Sequence, residues 1–235
     1  MSYPKQQKMG PLDVLTIEGD PGGVGIVLFH GFGSDASDLL SLSTIFRGTP
    51  RPTWFFPNGP IEVSFGGGHT GRAWFPIDFD LLEHALYEKS GTFLDNAYSM
   101  ELKTARLIVE EFIKDLPIPL SKLFLGGFSQ GAMLATEITL HTYENPAGLI
   151  LLSTTLVNKK NWEKAAHNHA GVKFFQSHGK DDTLLPFNRA QEVETLLIQG
   201  GLQGKLHSFS GGHEIPSSVL MELSAFLKTL CTPGH

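Results

Sequence analysis

The chain has 235 residues, of which 41% are hydrophobic and 18% charged, the make-up of a globular protein with enough apolar residues for a sizeable core. A net charge of -6 with no basic block argues against a nucleic-acid partner or attraction to an anionic membrane. Cys231 is the single cysteine, so no intrachain disulfide can form, and no apolar run reaches the ~20 residues of a membrane span.

In chain order, the opening MSYPKQQKMGPLD has lysines but no apolar run behind them, so it does not read as a signal peptide, and the expected compartment is the cytoplasm. Residues 25–30 form a strand hydrophobic on both faces, as a central parallel strand is, and 53–56 a shorter one. Ala105, Ile108, Val109, Phe112, Ile113 and Leu116 recur at three and four residues, a helical stripe ended by Pro117. Apolar strands follow at 122–127, 148–152 and 172–176. Val193, Leu196 and Leu197 mark a helix before Gly200 and Gly201, and 205–209 reads as a late edge strand. The last helix, after Pro216, carries Val219, Leu220, Leu223, Phe226, Leu227 and Leu230. This alternation predicts a single α/β domain over 1–235, with a mostly parallel central sheet and helices on both faces. In such sheets functional groups collect in the loops after the carboxyl ends of strands.

The strand ending at Gly127 runs into Gly127-Phe128-Ser129-Gln130-Gly131 and then into a helix from Ala132. This is G-x-S-x-G in the strand–turn–helix context that makes the serine a nucleophile. The flanking glycines leave room for the turn, and the free amides at the start of the helix favour a developing oxyanion.

A serine hydroxyl needs a neighbouring base. Ten histidines are present, so position must select among them. His213 lies in Ser210-Gly-Gly-His213-Glu-Ile-Pro216, after the edge strand and before the final helix, where a Ser…Asp…His order places the base. Asp181 and Asp182 both follow the strand at 172–176, and either fits as the acid that orients the histidine. Leu28-Phe-His30-Gly-Phe32-Gly33 has the form of an oxyanion loop, with the Phe32 amide pairing with that of Gln130 and His30 itself structural. His167 and His169 have no third ligand at metal spacing and read as surface histidines; no metal and no organic cofactor are expected.

These residues resemble, nearly end to end from about Gly25 to Leu227, the carboxylesterase/phospholipase family of α/β-hydrolases, which includes acyl-protein thioesterases and small bacterial carboxylesterases. The resemblance is carried by Leu28-Phe-His-Gly-Phe-Gly33, Phe56-Pro-Asn-Gly-Pro60, Gly71-Arg-Ala-Trp-Phe-Pro-Ile-Asp78, Gly126-Gly-Phe-Ser-Gln-Gly-Ala132, His178-Gly-Lys-Asp-Asp182-Thr-Leu-Leu-Pro186 and Gly212-His213-Glu-Ile215. It implies an α/β-hydrolase fold without a large cap domain. It also implies that Asp182 is the acid rather than Asp181, that Phe32 and Gln130 supply the oxyanion amides, and that Trp74 and Phe32 border the substrate. Residues 65–71, rich in glycine, match no signature of that family: a lid, part of an acyl pocket, or a plain flexible loop. They lack a G-K-[ST] ending and do not cradle phosphate.

The expected function is hydrolysis of a carboxylic ester through a Ser129–Asp182–His213 triad and an acyl-enzyme. The alternatives are an acyl-thioesterase or lysophospholipase on the same machinery, or a non-catalytic binding module on the same fold. The expected partner is a small-molecule ester or acyl substrate, with no stable membrane insertion; the sequence leaves monomer and homodimer equally open.

Overall fold

A computed structural model of the chain describes residues 3–46, 48–78, 95 and 97–231. Among the described residues ten strands form in chain order: β1 (Lys5–Met9), β2 (Leu12–Ile17), β3 (Gly25–Phe29), β4 (Thr53–Pro57), β5 (Ile61–Ser64), β6 (Thr70–Ala73), β7 (Leu123–Phe128), β8 (Gly148–Leu152), β9 (Lys173–Gly179) and β10 (Gln203–Phe209). The α-helices among them are α1 (Ser99–Lys114), α2 (Gln130–His141), α3 (Lys159–Ala166), α4 (Phe187–Gln199) and α5 (Ser217–Cys231). Eight strands make one sheet in the order β1-β2-β4-β3-β7-β8-β9-β10. From β4 to β10 neighbours are parallel, while β1 and β2 are antiparallel additions at one edge. Among the described residues no cap domain interrupts this order, and no helix is long and apolar enough to cross a membrane.

The apolar runs of β3, β7 and β8 are buried on both faces because each face has its own core. Val27 and Phe29 point to one side, where they pack with residues of α1 to α4 such as Val109, Leu134, Trp162 and Val193. Ile26 and Leu28 point to the other, against Val219, Leu223 and Leu227 of α5. Cys231 ends α5 in that second core, and burial pushes its thiol up to about 12, so it is no nucleophile at neutral pH.

Three local expectations change. The stripe on α1 ends at Lys114, so Leu116 packs from the following turn rather than from the helix. Residues 65–71 straddle a β-hairpin: β5 and β6 pair antiparallel, and Gly66, Gly67 and Gly68 turn the chain at φ of 80°, 59° and 82°, a region that side chains disfavour. His169 is buried and its Nδ1 lies 2.8 Å from Asn145 Oδ1, so only His167 of that pair is at the surface. Among the described residues no group of three or more His, Cys, Asp or Glu is placed to hold a metal.

Candidate active site

Ser129 sits between β7 and α2 with φ 55° and ψ -119°, a backbone conformation that costs a non-glycine residue about 1–3 kcal/mol. The turn is held from both sides. The Ser129 amide donates to the Leu152 carbonyl on β8 at 2.9 Å, and its own carbonyl accepts the Ala132 amide at 2.9 Å. The glycines beside it have steric reasons. A Cβ on Gly127 or Gly131 would run into the Phe29 carbonyl of β3, so only glycine lets the helix start this close to the sheet.

His213 lies in the loop after β10, its ring against Phe128 at a centroid distance of 4.8 Å. Its Nδ1 is 2.7 Å from Asp182 Oδ2. Asp182 is buried in the loop after β9, and its Oδ1 accepts the amides of Leu184 and Leu185, both at 2.9 Å. His178 Nε2 approaches Oδ2 at 3.2 Å. Burial opposes ionisation here, but the hydrogen bonds from His178, His213 and the Leu185 amide outweigh it, holding the carboxyl well below the ordinary carboxylate range. Asp181 is exposed, and its amide donates to the Gly211 carbonyl.

Ser129, His213, Phe32 and Gln130 all line one cavity of about 270 Å³. Its remaining wall is largely apolar, with Phe75, Ile77, Tyr98, Phe128, Met133, Val157, Leu184 and Leu185 among its residues. A second, more polar groove of similar volume is lined by Gln6, Asp35, Asn58, Glu62 and Arg72, and contains none of Ser129, Asp182 and His213.

Trp74 is not on the cavity wall. It is buried, with Nε1 donating to the His30 carbonyl at 2.9 Å and its ring 5.1 Å from that of Phe29. The neighbouring Phe75 takes the place on the wall that the sequence suggested for Trp74. Trp74→Phe strips the buried His30 carbonyl of its donor and is expected to cost about 1–3 kcal/mol, read as a lower urea midpoint. KM stays within about twofold, because the lost contact lies behind the wall.

The motifs around residues 28–33 are braces. Gly59 donates its amide to His30 Nε2 at 3.0 Å, so the ring proton sits on Nδ1 and is donated to the Gly31 carbonyl; burial pushes the His30 pKa down and keeps the ring neutral. Asn58 Oδ1 accepts the Ala36 amide. Gly33 and Ser34 exchange backbone bonds with Arg72 of the hairpin, the Gly33 amide to Arg72 O at 2.8 Å and the Arg72 amide to Ser34 O at 2.7 Å. Sequence reading missed the Gln130 side chain. It is buried, accepting the Trp74 amide on Oε1 at 3.0 Å and donating Nε2 to the Phe75 carbonyl at 2.7 Å. A buried amide directly after Ser129 was the available signal, since such a group must find partners.

A family model described as phospholipase/carboxylesterase matches residues 17–231. Acyl-protein thioesterase 1 of Candida albicans is 28% identical over 232 residues, covering 92% of this chain and 96% of the relative. Carboxylesterase SOBER1 of Arabidopsis thaliana is 23% identical over 209 residues, covering 86% and 89%. Among solved structures, esterase PE8 superposes with a TM-score of 0.73 at 28% identity, covering 94% of this chain and 98% of that one.

Proposed function

Because the chain belongs to the phospholipase/carboxylesterase family and is an ester hydrolase of the α/β-hydrolase fold, we propose that it cleaves carboxylic esters through an acyl-enzyme on Ser129. The observation that carries this is the His213–Asp182 contact of 2.7 Å beside the cavity that holds Ser129. In the first step Ser129 Oγ attacks the ester carbonyl carbon while His213 Nε2 takes its proton. The negative charge gathers on the carbonyl oxygen, which the amides of Phe32 and Gln130 hold; losing one such donor costs ~10²–10³ in turnover. The tetrahedral adduct collapses as His213 protonates the departing alkoxide. Water then attacks the acyl-enzyme by the same route, and the acid leaves with Ser129 restored. Asp182, ionised throughout, fixes the His213 tautomer and stabilises the imidazolium.

The apolar wall formed by Phe75, Met133, Val157 and Leu185 supports an uncharged acyl chain as the group bound there. A second reading, thioester cleavage, is favoured by the name of the Candida albicans relative. The triad addresses only the carbonyl, so the leaving group must be found by measurement. Rates on p-nitrophenyl esters of increasing chain length, beside an acyl-thioester and a lysophospholipid, separate the readings. A kcat/KM highest on the thioester overturns the ester assignment, and no turnover of any of them overturns the enzyme.

Only a neutral His213 ring can accept the serine proton. Asp182, whose carboxyl is held well below the ordinary carboxylate range, stays ionised where other carboxylates take up protons, so a loss of activity on mild acidification is not that of Asp182.

A further inference from the structure

Asp182 Oδ2 lies within reach of two imidazoles, and the catalytic reading uses only one of them. His178, at the end of β9, is fully buried. Its Nε2 faces two acceptors, the Leu185 carbonyl at 2.8 Å and Asp182 Oδ2 at 3.2 Å. Neither neighbour can donate, so Nε2 carries the ring proton and shares it between them. Among the described residues Nδ1 is buried without a hydrogen-bond partner. The ring therefore donates in one direction, from Nε2.

We propose that His178 is a positioning residue of the ester hydrolysis, which holds the Asp182 carboxylate in the orientation that meets His213 Nδ1. This rests on the triad proposed above. Four donors converge on Asp182: the Leu184 and Leu185 amides fix Oδ1, and His178 and His213 divide Oδ2. With both ends pinned, the carboxylate cannot rotate about its Cβ–Cγ bond, so the His213 ring is aimed before substrate arrives. Among the described residues, Asp38 on the cavity wall and Asp181 and Glu214 in the flanking loops are exposed and shielded by water.

The test compares His178→Leu, which keeps bulk and removes the donor, with His178→Gln, which returns an N–H. Both are measured on p-nitrophenyl butyrate as turnover per site titrated with a fluorophosphonate, so that misfolded protein does not count. Expected are a fall in kcat of about tenfold for His178→Leu with KM unchanged, and recovery to within about threefold of wild type in His178→Gln. Wild-type kcat per titrated site in both variants overturns the proposal and leaves His178 as packing. Asp182→Asn, assayed alongside, separates the two claims. If it is as active as wild type, the triad reading fails; if it is inactive while both His178 variants behave as wild type, only the positioning role fails.

Discussion

Ser129→Ala is expected to take no fluorophosphonate label and to lose turnover by a factor on the order of 10⁶, since the acyl-enzyme has no other atom on which to form. The substitution deletes one oxygen and leaves the turn intact, so the melting temperature stays within a few degrees of wild type. Ser129→Gly makes a sharper comparison. The wild-type residue is held at φ 55°, ψ -119° by the Leu152 and Ala132 hydrogen bonds, in a region glycine enters freely. Ser129→Gly is therefore expected to be equally inactive yet about 1 kcal/mol more stable than Ser129→Ala, as measured by urea unfolding. An inactive glycine variant that outlasts the alanine one would locate in this one residue a stability that has been given up for reactivity. Labelling that persists in Ser129→Ala would move the nucleophile elsewhere.

Asp182→Asn is the second large effect, a fall in kcat of about 10⁴ on a p-nitrophenyl ester. An asparagine of the same shape keeps a side-chain oxygen for the Leu184 and Leu185 amides, so the loop after β9 holds. Its NH₂ then takes the place of Oδ2 and faces His213 Nδ1 as a donor, which drives the ring proton to Nε2, the nitrogen that must be bare to activate Ser129. Asp181→Asn is the control. That side chain is exposed, its backbone amide bond to Gly211 survives the change, and turnover is expected within about twofold of wild type. Equal losses in the two variants would point to loop stability in place of tautomer control.

The contrast between these aspartates also marks what the sequence discloses. β3, β7 and β8 are legible because burial on both faces leaves an unbroken apolar run, and the elbow because its glycines are dictated by nearby backbone. β1 is not, since its KQQKM is a polar edge whose partners lie only on one side. Leu12, Val14 and Thr16 of β2 do alternate into the core, a period of two in a segment short enough to pass unread. α3 hides for a related reason: Trp162 and Ala166 are its buried residues, too few to make a stripe. Adjacent acids cannot be separated by chain order, because their difference is one of direction: Asp182 points inward to two histidines and Asp181 outward to water. The placement of Trp74 behind the wall and Phe75 on it reflects the same alternation, fixed by a partner 44 residues away in sequence.

The Gln130 side chain, tied to the backbone of Trp74 and Phe75, makes one residue answer to two masters. Its main chain belongs to the turn that presents Ser129, while its amide group grips the strip of chain from which Phe75 faces the cavity. Anyone seeking to widen this enzyme's diet by carving at Phe75 would be pulling on the same thread that tensions the Ser129 turn. Changes of appetite and changes of speed should arrive together there, whereas carving at Leu184, half exposed on the opposite loop, leaves that thread slack.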